Sequence, residues 1–189
     1  MGDYITTFTG KHFYPADPDP SAICMEDIAH ALPMICRGNG HVHSFWSVAE
    51  HSICCAKEAR ARGLSKKIIL ACLLHDASEC YMSDVPRPFK KELEAYQEQE
   101  DKLLSMIFKK FLNSDLTETE WEAVKTIDNA MLWYDLEELL NEKQPGDPPE
   151  IHIKLDYTVR PFEEVEEEYR RLFDLNSAEK TPAFIRSER

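Results

Sequence analysis

Long apolar runs are missing from this sequence. No stretch approaches the roughly 20 apolar residues that cross a bilayer, and the start of the chain has neither the basic residues nor the apolar core of a secretory signal. Basic charge is also scarce, with 22 Lys and Arg against 35 Asp and Glu and a formal net charge of −13. Such a balance argues against binding long nucleic acid through its phosphates, but it leaves room for a small anionic ligand. We therefore expect a cytoplasmic protein without a membrane segment.

Paired cysteine motifs are absent as well. No C-x-x-C spacing occurs, and a chain of 189 residues is too long to need disulfides for its stability. We expect the cysteines to be reduced and to behave as small core residues. With 43% hydrophobic and 30% charged residues, the composition is that of one globular domain over residues 1–189. The six cysteines are Cys24, Cys36, Cys54, Cys55, Cys72 and Cys80.

The hydrophobic periodicity predicts an all-α bundle with a short N-terminal β-ribbon. Alternating Thr and aromatic residues with a glycine predict the ribbon at residues 4–14, and alternation at 151–155 predicts a short strand. Apolar residues that recur every three or four positions predict the helices. Two of these helices begin with the capping boxes Ser47–Glu50 and Thr117–Glu120. We expect a loose tail after Asn176. The predicted helices begin near Ser21, Ser47, Ser65, Leu93, Thr117 and Pro161, and the last one ends near Leu175.

An imidazole and two carboxylates follow the uncharged run 68–74. An unpaired carboxylate at Asp76 would cost several kcal/mol in apolar surroundings, so its presence indicates a bound cation. We expect one apolar helix to continue through this stretch, so that His75 and Asp76 flank one point and Glu79 lies one turn further on. Two ligands beside a free carboxylate are typical of a hydrolytic metal site.

Two further residues fit the same site. Asp128 falls on or beside the apolar stripe of its helix, where it needs a metal or an arginine, whereas Asp135, Glu137 and Glu138 are expected on the solvent face. His51 lies among apolar residues, where a lone histidine is more often a hydrogen-bonded core residue than a ligand. Together with His75 and Asp76 these residues give the order H…HD…D, which suits Mn, Co, Zn or Fe better than Ca or Mg.

Two loops supply polar residues near this set. The glycine-rich segment 36–43 concentrates Arg37 and His41. The segment after Glu79 contains two prolines and places Asp84 near the end of the metal helix. We interpret the cations that follow Asp84 as solvated loop residues; they are Arg87, Lys90 and Lys91.

The flanks of these residues carry a family resemblance. The runs Ala-Glu-His-Ser at 49–52, His-Asp-Ala-Ser-Glu at 75–79 and Ser-Asp-Val-Pro-Arg-Pro at 83–88 resemble those of the HD superfamily of metal-dependent phosphohydrolases. They look most like the bacterial 5′-deoxynucleotidases and their phage-encoded relatives, over a core of about residues 23–140. The resemblance implies an HD-domain helical bundle that binds a nucleotide. Homodimers are common among such domains, so a homodimer is expected by analogy.

The resemblance also assigns roles. It implies that Glu79 positions or activates the attacking water, that Asp84 contacts the sugar of the substrate and that Arg37 binds its phosphate, with His41 as a further donor. Gly38 follows Arg37 where the deoxynucleotidases tend to have Trp, and the run Arg-Gly-Asn-Gly-His is more similar to the phage type, some of which act on triphosphates. The metal ligands implied are His51, His75, Asp76 and Asp128.

Three functions follow as hypotheses. The first is hydrolysis of 5′-deoxynucleoside monophosphates to nucleoside and phosphate, and the second is a deoxynucleoside triphosphate triphosphohydrolase that uses the same site. The third is a non-catalytic nucleotide-binding protein that keeps a metal. Glu79 favours an enzyme, because a carboxylate that is not a ligand has no evident purpose in a non-catalytic module.

Overall fold

The computed structural model describes residues 3–177, so the tail expected after Asn176 lies almost wholly outside the described residues. The predicted all-α fold with a short N-terminal β-ribbon is confirmed. No helix in the described part of the chain is both long and apolar enough to cross a membrane. The strands are β1 (Ile5–Thr6) and β2 (His12–Phe13), and the helices are α1 (Met25–Ala31), α2 (Val48–Ala61), α3 (Lys66–Leu74), α4 (Glu79–Met82), α5 (Arg87–Lys90), α6 (Glu94–Leu112), α7 (Glu118–Leu140) and α8 (Phe162–Asn176).

The β-ribbon is antiparallel and is held against the helices. Ile5 pairs with Phe13 and Thr6 with His12. The buried carboxylate of Asp27 in α1 accepts hydrogen bonds from the backbone N–H and the hydroxyl of Thr9, at 2.8 and 3.0 Å. Phe13 is fully buried and stacks on Tyr81 at 3.9 Å between ring centroids. The ribbon therefore closes one end of the helical core.

Helix α3 lies at the centre of the molecule. Its apolar residues 69–74 are all buried, and it packs against α2, α6, α7 and α8. A helix enclosed on several sides needs apolar residues all round, which is why the run 68–74 carries no charge. All six cysteines are unpaired, as expected.

The predicted helix starts at Ser47, Ser65 and Thr117 are confirmed by their hydrogen bonds, whereas the helix expected from Ser21 begins at Met25. The capping boxes Ser47–Glu50 and Thr117–Glu120 are both complete, and the Ser65 hydroxyl accepts from the backbone N–H of Ile68. These caps satisfy N–H groups that have no partner within the helix. The capping box at Ser47 fixes the start of α2 four residues before His51.

The expected continuation of α3 through Glu79 is wrong. The helix ends at Leu74, and residues 75–78 form a turn before α4. The carbonyl of Cys72 accepts a hydrogen bond from the His75 ring at 2.8 Å, and the carbonyl of Leu73 accepts one from the Tyr169 hydroxyl at 2.6 Å. These side chains use the carbonyl groups that another helical turn would need, so the helix stops there.

The strand expected at 151–155 is also wrong. The segment is irregular and pairs with no strand among residues 3–177. Its alternation arises because Ile151, Ile153 and Leu155 pack on the core from one side. Hydrogen bonds from the backbone N–H and the ring of His152 to the buried carboxylate of Glu58, at 2.8 and 3.0 Å, hold the segment in place.

Candidate metal centre

Three elements bring the four predicted metal ligands together. His51 projects from α2, His75 and Asp76 lie in the turn after α3, and Asp128 projects from α7. The Nε2 atom of His51 lies 3.1 Å from Oδ1 of Asp128, and Nε2 of His75 lies 3.6 Å from the same oxygen. The Nε2 atom of His75 is also 3.3 Å from Oδ2 of Asp76. Residues separated by up to 77 positions thus place their donor atoms around one point.

The two imidazole rings direct lone pairs at that point. His75 Nδ1 must carry a hydrogen, because its partner is the carbonyl oxygen of Cys72, which only accepts. His51 Nδ1 lies 2.8 Å from a carboxylate oxygen of Asp135 and donates to it for the same reason. In a neutral ring the other nitrogen, Nε2, then bears the lone pair. Both Nε2 atoms therefore face Asp128 as electron-pair donors.

These separations fit a shared divalent ion. Nitrogen and oxygen ligands about 2.0–2.2 Å from a tetrahedral ion lie about 3.3–3.6 Å from one another, and the observed distances are 3.1, 3.3 and 3.6 Å. Nε2 of His75 is buried and has no hydrogen-bond partner in the part of the chain that the structure describes. A buried polar atom without a partner is costly, and a metal ion would satisfy it.

The pKa values show the same need for positive charge. Burial alone would lower the pKa of His75, but Asp76 and Asp128 outweigh it and raise that pKa to about 9. Burial and Arg37 act to lower the pKa of His51, yet its hydrogen bonds to Asp128 and Asp135 leave it raised. Burial opposes ionisation of Asp128, but the two histidines lower its pKa well below the ordinary value. Protons therefore supply the positive charge when no ion is bound.

Asp135 is the main residue of the site that the sequence analysis misplaced. It was expected on the solvent face of α7, but it is buried and supports His51. Asp128 and Asp135 are seven residues apart, which places them on the same face of a helix two turns apart. That spacing is a signal in the sequence, although only the packing of α7 against α2 shows what this face contacts.

Two arginines contact the outer oxygens of the carboxylates. Arg37 approaches Asp76 through Nη1 at 3.5 Å and Asp135 through Nε at 3.3 Å. Arg87, interpreted from the sequence as a solvated residue, lies at the site instead, with Nη2 3.4 Å from Oδ2 of Asp128. Both guanidinium groups therefore lie beside carboxylates of the predicted ligands. Arg87 is the first residue of the short helix α5, and no spacing in the sequence relates it to Asp128.

Glu79 and Asp84 lie near Asp76, whose charge acts on both. Glu79 is buried, and its Oε2 atom has no hydrogen-bond partner within residues 3–177. Burial and the neighbouring charges of Asp76 and Asp84 raise the pKa of Glu79 well above its ordinary value. Asp84 follows Ser83, whose φ of 71° is unusual for a residue other than glycine. The Tyr96 hydroxyl donates to the Ser83 carbonyl at 2.9 Å, which helps to hold this bend.

His41 is the predicted site residue that does not join the cluster. It is exposed at the end of the turn Arg37–Gly40, and its side chain makes no hydrogen bond to any described residue. Gly38 and Asn39 in this turn have left-handed backbone angles, with φ of 59° and 51°. Such angles form a tight turn after Arg37, and the role of His41 stays a prediction.

A cavity of about 410 Å³ opens beside the cluster. Its wall includes His75, Asp76 and Asp128, and its apolar floor contains Leu104 and Val124. This volume lies in the range of small-molecule sites. Polar groups surround the remainder of the cavity, among them Ser78, Arg87, Lys90, Glu100, Lys125 and Asn129.

A sulfur atom lies close to the same point. His51, Cys55 and His75 offer ligand atoms within 4.8 Å of one another, and Cys55 Sγ lies 3.6 Å from His51 Nε2. Burial and the charge of Asp128 raise the pKa of the Cys55 thiol well above its ordinary value. The carboxylates of Asp76 and Asp128 lie 3.1–3.6 Å from the same histidine nitrogens, so both the cysteine and the two aspartates are placed to contribute ligands.

A family model described as an HD domain matches residues 40–136, more than half of the chain. This chain belongs to the HD domain family. The matched region contains all four residues of the cluster, and HD domains are metal-dependent hydrolases. Arg37, Tyr157 and α8 lie outside the matched region.

Two relatives share this region of the HD domain chain. The uncharacterized protein YfdR of Escherichia coli K12 is 37% identical over 108 residues, which cover 57% of this chain and 58% of YfdR. The uncharacterized protein RCAP_rcc00048 of Rhodobacter capsulatus is 37% identical over 109 residues, which cover 54% of this chain and 55% of that protein. The matches thus span less than two thirds of each relative, and neither name assigns a substrate.

Proposed function

We propose that this HD domain protein hydrolyses 5′-deoxynucleoside monophosphates to nucleoside and phosphate with the help of a divalent transition metal. The observation that carries the proposal is a chain of three contacts at 3.1–3.6 Å, from His51 and His75 to Asp128 and from His75 to Asp76. Electron-pair donors packed this closely in a buried site repel one another unless a cation lies among them. Two imidazoles and two carboxylates favour Mn, Co, Zn or Fe.

The metal and Glu79 divide the chemistry. A bound divalent ion acts as a Lewis acid and makes nearby water more acidic, as phosphate ester hydrolysis requires. Glu79 offers a buried oxygen that has no other partner among the described residues, so it is suited to hold the attacking water and accept its proton. Burial and the charges of Asp76 and Asp84 raise the pKa of Glu79, which makes its carboxylate a stronger proton acceptor.

The arginines and Asp84 complete the proposed substrate site. Arg37 and Arg87 lie on the outer oxygens of Asp76 and Asp128, where they can stabilise the negative charge that develops on the phosphoryl oxygens. Asp84 is half-buried and borders the same cluster of charges, which supports a contact with the sugar. A contact from His41 requires the exposed turn to move toward the substrate.

A deoxynucleoside triphosphate triphosphohydrolase is the second candidate. The cavity beside the cluster favours it, because Arg87, Lys90 and Lys125 all line that space. Three cations beyond the first phosphate would suit a longer phosphate chain. However, Lys90 is paired with Glu100 at 2.8 Å, which reduces the charge available to a ligand.

A substrate panel tests both candidates. Deoxy- and ribonucleoside mono- and triphosphates are incubated with the protein and Mn or Co, and phosphate and tripolyphosphate are measured separately. We expect phosphate from deoxynucleoside monophosphates, no product in EDTA, and better recovery with Mn or Co than with Mg. Tripolyphosphate from a triphosphate would transfer the assignment to the second candidate. No product from any nucleotide, with metal bound, would contradict both, and light scattering of the same sample tests the homodimer.

A further inference from the structure

Asp135 accepts two hydrogen bonds and makes one ion pair, and these three contacts come from three different parts of the chain. Its Oδ2 atom lies 2.8 Å from Nδ1 of His51 and 3.3 Å from Nε of Arg37. Its Oδ1 atom accepts a hydrogen bond from the Tyr157 hydroxyl at 3.1 Å. Asp135 is 7% exposed and His51 is fully buried, so water does not compete for these contacts. The carboxylate therefore joins α2, the turn at Arg37 and the connection between α7 and α8.

We propose that Asp135 is a positioning residue for the metal centre and that Tyr157 holds Asp135 in place. This inference rests on the proposed function, because it assumes that His51 binds a metal through Nε2. The bond from Nδ1 to Asp135 fixes the ring orientation and keeps the Nε2 lone pair directed at Asp128. Carboxylates that accept from a metal-binding histidine in this way raise its basicity and its affinity for metal.

Tyr157 brings a distant segment into this arrangement. It lies outside the region that matches the HD domain family, 22 residues after Asp135. Its ring packs against Trp46, the residue before the cap of α2, at 4.8 Å between centroids. The hydroxyl is thus placed by packing at the start of the helix that carries His51. A segment beyond the family match therefore supports a ligand within it.

The simpler explanation is a buried polar network that only stabilises the fold. Asp135 would then serve as the partner of Arg37, and its loss would lower stability without a specific effect on metal binding. The two explanations differ in what they predict for a change that leaves Asp135 and Arg37 in place. Removal of the Tyr157 hydroxyl is such a change.

Tyr134 provides a matched control. Its hydroxyl donates to the carbonyl of Pro149 at 2.8 Å and so also ties the connection between α7 and α8 to the bundle. This bond does not involve Asp135 or any residue of the cluster. Tyr157→Phe and Tyr134→Phe each remove one hydroxyl and one hydrogen bond, so a general effect on the segment appears in both variants.

The experiment measures binding of Mn or Zn alone to the full chain by competition with a chelator. We expect Asp135→Ala to weaken binding by about 10–100-fold and Asp135→Asn to weaken it less, because the amide oxygen still accepts from His51. Tyr157→Phe is expected to weaken binding by several-fold, and Tyr134→Phe to leave it at the wild-type value. Proton NMR of the metal-free protein gives a second readout, since the His51 Nδ1–H signal should shift in Tyr157→Phe and disappear in Asp135→Ala.

Wild-type metal affinity in Tyr157→Phe and Asp135→Asn would overturn the proposal, as would equal losses in Tyr157→Phe and Tyr134→Phe. If Asp135→Ala does not fold, the tyrosine pair still decides the question. If the protein binds metal but hydrolyses no nucleotide, the proposed hydrolase function is contradicted and the positioning role of Asp135 is not. If the wild type binds no metal, the proposed function fails. The positioning role is tested independently by NMR: it is overturned if the His51 Nδ1–H signal is the same in the wild type, Tyr157→Phe and Asp135→Ala.

Discussion

Glu79 has a free carboxylate oxygen in a buried site, and this separates its role from that of the four clustered residues. Its neighbours Asp76 and Asp84 repel its charge, and its Oε2 atom makes no hydrogen bond to any residue that the structure describes. We therefore expect Glu79→Ala to keep the metal and to lose turnover by a factor of about 10²–10⁴, the usual contribution of a proton-transfer group. Metal content by atomic emission and turnover by phosphate release give the two measurements.

Asp76→Ala is the matched comparison, because it removes a carboxylate three residues earlier in the same turn. It takes away a donor 3.3 Å from His75 Nε2, so both metal content and turnover should fall. Wild-type turnover in Glu79→Ala would remove Glu79 from the reaction. Loss of the metal in Glu79→Ala would instead make this residue a ligand.

At the residue scale, the cost of a buried charge pointed to Asp76 and Asp128, whereas His51 entered the predicted ligand set only through the order H…HD…D. A charged or polar side chain in an apolar context needs a partner, and His75, Asp76 and Asp128 all satisfy this criterion. The same reasoning failed for Asp135, because its sequence neighbours Glu137 and Glu138 indicated a solvent face. Arg87 is exposed, as interpreted from the sequence, but its contact with Asp128 was not foreseen, because the sequence of the short helix α5 does not specify the direction in which a long side chain points.

The start of α2 illustrates how a single element positions the site. Ser47 is fully buried, and its hydroxyl and backbone N–H both donate to the Glu50 carboxylate, at 2.8 and 2.9 Å. Ser47→Ala removes the hydroxyl from this buried box. We expect a loss of about 2 kcal/mol in the free energy of unfolding, the upper end of the range for N-cap substitutions, measured by urea denaturation.

Thr117→Ala is the control for the Ser47 substitution. Thr117 caps α7 with the same box, but its hydrogen bonds are exposed to water. Water can replace an exposed bond, so the expected loss is about 0.5–1 kcal/mol. Equal losses at the two positions would show that burial of the box at Ser47 adds nothing to its contribution.

The starts of helices could be predicted from the local sequence, but the C-terminal end of α3 could not. The starts of α2, α3 and α7 were predictable, because the capping residues are adjacent in sequence to the helices that they cap. The end of α3 was not, because one of the groups that occupies its carbonyls is the Tyr169 hydroxyl, 96 residues from Leu73. The strand expected at 151–155 failed similarly: alternation indicates one-sided packing, whereas a strand also needs a neighbouring strand.

Over the whole molecule, acidic groups outnumber basic ones, and the buried cluster of histidines and aspartates needs a positive charge. The net charge is −13, and the cluster combines two carboxylates with two buried histidines. In the metal-free protein the raised pKa of His75, about 9 against an ordinary 6.5, means that a proton meets this demand. That proton stabilises the folded state fully below pH 6.5, and its contribution is lost as pH rises through about 9.

Metal binding must displace the proton on His75, because ion and proton compete for the Nε2 lone pair. Since the folded-state pKa is about 9, we expect the apparent affinity for Mn or Zn to rise from pH 7 to pH 9 and then to level off. One displaced proton corresponds to about a tenfold gain per pH unit, and His51 adds to it because its pKa is also raised. Calorimetry at pH 7.5 in two buffers of different ionisation enthalpy measures the protons released. An affinity that is flat over this range, or no proton release, would contradict binding through His75 Nε2.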